Sequence, residues 1–359
     1  MSSPERLPVR ESVALMDGYH SPQLDVAVRL NTNESPVPPP EGWAEALRAA
    51  LAGIDWHRYP DRGAHELRAA LAKHEQVAPE QVFAANGSNE VLQCLLLAFG
   101  GPNRTALTFE PTYALHSHIA RLSATQVVSG EREEDFSLDA DYASAMVAEH
   151  RPAVTFLCSP NNPTGMVEPP QLVEGLLGDV SALPGLLLMD EAYGQFDPHT
   201  SVDLIDESRP LAVARTYSKT WSMAAARLGY LVAPSWVVAE LDKVTLPYHL
   251  DSFKQIAGRL ALDYEDEMND RVAMLVAERE RIAAALDQLA VYHWPSGANF
   301  ILLRPDSGDG DGVWQGLVDR SVLVRNCSSW PRLAGCLRVT VGSPAENDAF
   351  LSALSEVLA

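Results

Sequence analysis

Six short apolar runs punctuate the chain between Gln81 and Ala233. They are Val82-Phe83-Ala84, Thr105 to Phe109, Val154 to Leu157, Leu186 to Met189, Leu211 to Ala214 and Gly229 to Val232. Each is too short for a helix and carries almost no polar residue, the pattern of a strand buried on both faces. Segments of helical period lie between several of them, among them Val91 to Phe99. Alternation of this kind predicts an α/β fold, a mostly parallel central sheet with helices on both sides.

Helical patterning precedes this region at Glu41 to Ala52 and Gly63 to His74. The first forty residues are irregular and close on Ser35-Pro36-Val37-Pro38-Pro39-Pro40, so they read as an arm without a core of its own. A long charged segment of helical period, Phe253 to Leu289, leads into a second, smaller α/β unit. Its strand candidates are Phe300 to Leu303, Val322 to Val324 and Cys336 to Val341, with a closing helix at Asn347 to Leu358. Asp306-Ser307-Gly308-Asp309-Gly310-Asp311-Gly312 reads as a loop. The expected division is an arm at 1–40, a large domain at 41–250 and a small C-terminal domain at 251–359.

A length of 359 residues with 47% hydrophobic content suits two domains with full cores. The net charge of −21 argues against non-specific nucleic-acid binding, which needs a basic footprint. It leaves an anionic substrate open, because a cleft can be locally positive in an acidic protein. The four cysteines, at 94, 158, 327 and 336, form no CxxC pair, so no metal site is expected. No basic-then-apolar leader opens the chain, and no apolar run nears the roughly 20 residues of a membrane span. A cytoplasmic location without membrane partners is the expectation.

Candidate chemistry gathers where strands end. Asp190 closes the run Leu186 to Met189, where an unpaired charge would be costly; the ring nitrogen of a pyridinium would be one suitable partner, an arginine or a helix start another. Lys219, in Thr216-Tyr217-Ser218-Lys219, can form an imine with an aldehyde. Arg227, with the hydroxyls of Thr216 and Ser218, could hold a phosphate. Asn86-Gly87-Ser88-Asn89-Glu90 lies between a strand and a helix, a ready anion site when a helix start is uncapped. Tyr113, just after the strand at Phe109, could stack on a flat ring. The rigid turn Ser159-Pro160-Asn161-Asn162-Pro163-Thr164-Gly165 could aim an asparagine into the crevice at the strand ends. Taken singly, each of these is an ordinary turn, cap or surface residue.

Taken in order, Asn-Asn-Pro-Thr-Gly, Asp-Glu-Ala-Tyr, Ser-Lys and Arg resemble the class I/II aminotransferases, pyridoxal 5'-phosphate (PLP) enzymes of fold type I. The likeness extends over nearly the whole chain. Leu30 to Pro36, Arg58-Tyr59-Pro60-Asp61, Asn86 to Glu90, Leu246-Pro247-Tyr248 and Cys336 to Gly342 resemble the branch that holds the histidinol-phosphate and aromatic amino-acid aminotransferases.

The resemblance implies a cofactor, PLP, and a role for each position. Lys219 would carry the cofactor and move protons, and Asp190 would face its ring nitrogen. Tyr193 and Asn162 would reach the phenolic oxygen, and Tyr113 would lie on the ring. Gly87, Ser88, Thr216, Ser218 and Arg227 would hold the phosphate, with Tyr59 reaching it from the other subunit of a homodimer. Arg338 would take a substrate carboxylate or phosphate, with Asn162, Tyr19 and Tyr248 as further substrate contacts. The expected reaction is amino transfer between histidinol phosphate and 2-oxoglutarate. An aromatic aminotransferase, a decarboxylase of the threonine-phosphate type and a non-catalytic regulatory module are the alternatives. Asn89, Ser35, Ala225 and Trp221-Ser222-Met223 depart from the commonest pattern, and the changes at Trp221 and Ala225 bear on substrate identity.

Overall fold

The computed structural model describes residues 9–14, 16, 18 and 23–359. Among them are twelve strands: β1 Val28–Leu30, β2 Val82–Ala85, β3 Thr105–Glu110, β4 Gln126–Glu131, β5 Val154–Cys158, β6 Leu186–Asp190, β7 Leu211–Thr216, β8 Gly229–Val232, β9 Val291–His293, β10 Phe300–Pro305, β11 Val322–Asn326 and β12 Leu337–Thr340. Seven form one sheet in the order β2-β8-β7-β6-β5-β3-β4. From β7 to β4 every pairing is parallel, while β8 runs antiparallel to both its neighbours. The expected α/β architecture with a mostly parallel sheet is therefore the observed one.

Successive side chains on a strand point to opposite faces, and here both faces are covered. Leu187 and Met189 of β6 join one apolar core, Leu186 and Leu188 the other. That double burial is why these strands appear as unbroken apolar runs. The six expected strands are all present, each within two residues of its expected ends.

The second sheet has the order β1-β11-β12-β10-β9. Its core joins Phe300, Ile301, Val322, Val324 and Val339 to the long helix Glu265–Leu286 and the closing helix Pro344–Leu358. The helical segment from Phe253 is broken in two. Ser252–Ala261 packs on the helices Glu41–Leu51 and His65–His74. In Glu265–Leu286, Met268 belongs to the core of the first sheet and Leu275, Ile282 and Leu286 to that of the second.

Three expectations need correction. The arm is not wholly irregular, since Glu11–Ala14 is a helical turn and β1 pairs in parallel with β11. The edge strands β4 and β9 were not expected; each has a partner on one side only, and their half-exposed residues blur the apolar signal. The acidic loop is shorter than its composition suggests. Asp309 accepts from the backbone N–H of Gly312 at 2.8 Å, and the helix Gly310–Asp319 begins inside the glycine-rich stretch. No described helix is long and apolar enough to cross a membrane.

Candidate active site

The C-terminal ends of β3, β5, β6 and β7 bring Tyr113, Asn162, Asp190 and Lys219 to one cavity. Ligands collect at this edge of parallel sheets because the chain there opens into loops instead of packing. The second sheet closes the other side with Arg325 of β11 and Arg338 of β12, and the arm contributes Asn31, Thr32 and Asn33. With its open mouth the cavity measures about 930 Å³.

One end is built for an anion. No side chain caps the helix Ser88–Phe99, so its first N–H groups and the positive end of its dipole are left to a ligand. Arg227 lies beside it and donates to Ser218 Oγ at 3.2 Å, while Ser218 N donates to Thr216 Oγ1 at 3.1 Å. Glycine is needed twice here. Gly87 has φ +79°, and a Cβ on it would lie 2.9 Å from Arg227 Nη2. A Cβ on Gly229 would lie 2.4 Å from Ser88 N. Either side chain would push apart the cradle that the guanidinium and the helix start share.

At the opposite end Asp190, only 2% exposed, closes β6. Its Oδ1 accepts from Ala192 N at 3.1 Å and its Oδ2 lies 2.9 Å from His116 Nε2. His116 is fully buried and stacks on Phe156 with ring centroids 4.7 Å apart, so it cannot swing away. His116 went unrecognised in the sequence. The clue was the carboxylate itself, which at a buried strand end requires a hydrogen-bonded partner.

Between the two ends, Lys219 Nζ donates to the carbonyl of Thr32 at 3.0 Å and lies 5.6 Å from the centroid of the Tyr193 ring. Burial, then the charges of Arg338 and Arg227, lower its pKa from 10.5 to about 7; Glu34 opposes this. Tyr193 Oη accepts from Asn33 Nδ2 at 2.9 Å, and burial pushes its pKa up to about 12, so the phenol keeps its proton as a donor. Asn33, at φ 55°, is itself pinned by Thr340 Oγ1, 2.9 Å from its backbone N.

Arg338 is 5% exposed; it donates through Nη1 to Asn162 Oδ1 and through Nη2 to the Asn31 carbonyl at 3.0 Å. Its buried Nε has no hydrogen-bond partner among the described residues, and its guanidinium lies 5.1 Å from the Phe300 ring centroid. Arg325 is its direct opposite in the β11–β12 register and lines the same cavity. Arg325 also went unrecognised, although a charge directly after Val322-Leu323-Val324 in a buried strand was a signal.

Other expected site residues are not brought in. Tyr59 is 79% exposed, outside the cavity, and stacks on Tyr248 with centroids 4.4 Å apart. Tyr19 lies outside the described residues. Trp221 is buried in the first sheet's core against Tyr217 and does not line the cavity. Nor does Ala225 line it.

The family model for aminotransferase class I and II matches residues 25–354. The histidinol-phosphate aminotransferase of Frankia casuarinae is 47% identical, covering 98% of this chain and 90% of that protein. That of Corynebacterium diphtheriae is 43% identical, covering 98% and 96%. Among solved structures, the histidinol-phosphate aminotransferase from Sinorhizobium meliloti in complex with pyridoxal-5'-phosphate superposes with a TM-score of 0.88 at 22% identity, covering 99% of this chain and 98% of that one.

Proposed function

The chain belongs to the class I and II aminotransferases, and from that premise we propose that it transfers an amino group from histidinol phosphate to 2-oxoglutarate. Its cofactor is pyridoxal 5'-phosphate, which when bound supplies an electron sink for the carbon that loses its proton. The residues present fit that group: an uncapped helix start with a guanidinium at one end, a buried carboxylate at the other, and a lysine of depressed pKa between them.

On this reading Gly87, Ser88, Thr216, Ser218 and Arg227 hold the cofactor phosphate. Asp190, backed by His116, holds negative charge against the ring nitrogen. Tyr113 would stack on the ring, and Tyr193 with the amide of Asn162 would serve the phenolic oxygen. Lys219 would hold the cofactor covalently, and its neutral Nζ, when free, would take the proton from the substrate's Cα and pass it on. A pKa near neutrality suits an amine that must both accept and give a proton.

The observation that carries the substrate assignment is the pair Arg325 and Arg338, opposed in register on one wall of the cavity. A phosphate monoester carries about −1.5 to −2 at neutral pH and offers three acceptor oxygens. An α-carboxylate needs one guanidinium fork; a phosphate, whose phosphorus lies two bonds further from the amine-bearing carbon, can use two. Histidinol phosphate with 2-oxoglutarate should therefore exceed phenylalanine or tyrosine at least about tenfold in kcat/KM, about 1.4 kcal/mol. Faster turnover of either aromatic amino acid would assign the chain to aromatic amino transfer, and release of carbon dioxide in place of glutamate would make it a decarboxylase.

The same reading makes the enzyme a cytoplasmic homodimer, with Tyr59 completing the partner's phosphate site. Support comes from the face around Tyr59, where Trp56 and Leu246 are each 77% exposed. We also assign residues 41–250 to a large domain and 251–359, with the arm at 1–40, to a small one; the helix Ser252–Ala261 packs back onto the large domain.

A further inference from the structure

Arg325 and Arg338 are opposite residues of an antiparallel pair, where like charges repel. Each guanidinium rests on an aromatic ring. Beneath Arg338 is Phe300, fully buried in the second sheet's core, and 5.2 Å from Arg325 is the ring centroid of Trp330. Trp330 belongs to no sheet. It sits on the loop 327–336 that joins the two arginine-bearing strands, and it lines the cavity.

The loop is tied at both ends. At its base Cys327 N donates to Cys336 O at 3.0 Å, and within it Trp330 N donates to Cys327 O at 2.9 Å. At its tip the Arg332 guanidinium crosses to the first sheet's side and donates to the carbonyl of Arg132, with that of Glu133 at 3.4 Å. Arg132 is anchored in turn by a buried ion pair with Glu168 at 2.5 Å. The loop that carries the indole is thus held from both halves of the molecule.

An aromatic face is a particular kind of support for a guanidinium. A ring lies against the flat face of the guanidinium and keeps its charge, fixing the plane in which its N–H groups point. We propose that Trp330 is a positioning residue that aims Arg325 into the cavity, giving the site its preference for a phosphate monoester over an uncharged analogue. The proposal rests on the phosphate-ester reading above and names the residue whose ring orients the second cation at the cavity wall.

The test uses cofactor-loaded enzyme and the variants Trp330→Leu and Trp330→Phe. Three quantities are measured: the inhibition constant of inorganic phosphate, and the steady-state constants for histidinol phosphate and for histidinol, which lacks the phosphate. Trp330→Leu should weaken phosphate inhibition and raise KM for the ester by about tenfold, with kcat changed less than about twofold, and leave histidinol unaffected. Trp330→Phe should stay within about threefold of wild type on every measure. Equal losses on ester and alcohol, or an unchanged phosphate constant, overturn the proposal. Should Trp330→Leu not fold, Arg332→Gln, which unties the loop's tip, should weaken phosphate inhibition about threefold, and no change there overturns it instead. The phosphate constant does not depend on which amine the wild-type enzyme prefers. A wild-type preference for tyrosine would defeat the substrate assignment and still leave Trp330 judged by its own measurement.

Discussion

The depressed pKa of Lys219 can be tested on the cofactor-free protein. Burial, then the charges of Arg338 and Arg227, bring the amine from 10.5 to about 7. Only the neutral amine attacks an aldehyde. At pH 7 an ordinary lysine is neutral in roughly three molecules in ten thousand; a group with a pKa near 7 is neutral in about half, a gain on the order of a thousandfold. The rate of pyridoxal phosphate capture by the apoprotein, followed by absorbance in a stopped-flow instrument, should rise with pH through about 7 and level off above it. Arg338→Leu removes the second cause and leaves the first, so its midpoint should move upward. The same shift bears on stability. Its sign follows from the folded-state pKa lying below the unfolded one: between about 7 and 10.5 the unfolded chain holds a proton that the folded chain has lost, so this group's contribution to stability grows with pH over that window. The full shift corresponds to about 5 kcal/mol. Apoprotein carrying Lys219→Met should therefore be more stable than wild type at pH 7, with the gap closing toward pH 10.5 in urea titrations. A wild-type capture rate still climbing at pH 9 with no plateau would refute the reasoning.

Three further outcomes are expected. Asp190→Asn should cut kcat by more than about a hundredfold and weaken cofactor affinity far less, because the charge matters most as the carbanion develops; wild-type turnover would move the electron-sink role to another residue. Gly229→Ala forces a Cβ to within 2.4 Å of the backbone nitrogen of Ser88, so cofactor affinity should fall at least about tenfold and Tm should drop, both read in a cofactor titration by thermal shift. Subunits carrying Lys219→Ala mixed with subunits carrying Tyr59→Ala should regain part of the activity that each lacks alone, since one site in the hybrid dimer is intact; a fully active monomer by light scattering would exclude shared sites.

Some of the molecule could be read from local pattern and some could not, and the dividing line is physical. Strands β3, β5, β6 and β7 are covered on both faces, so each needs a continuous apolar run, and such a run is visible in one dimension. The edge strands β4 and β9 and the short β1 bury less, and their sequences (Gln126 to Glu131, for one) carry no comparable imprint. The acidic glycine-rich stretch misled because composition reports turn preference, while the helix Gly310–Asp319 is held by burial of Val313 and Leu317 on a distant core.

The chemistry divides in the same way. Lys219, Asp190, Arg227 and the Gly87-Ser88 turn stood out because each is tied to a strand end or helix start that its own neighbours in sequence define. His116 acquires its meaning only when folding brings it to a carboxylate 74 residues away. Arg325 and Arg338 become a pair only through the β11–β12 register, and Trp330 meets Arg325 only through the folding of the loop that joins the two strands. A local sequence can specify which groups are present and the element each sits on. Which groups face one another across a cavity depends on strand register and on the packing of two sheets, and those are decided by burial summed over the whole chain.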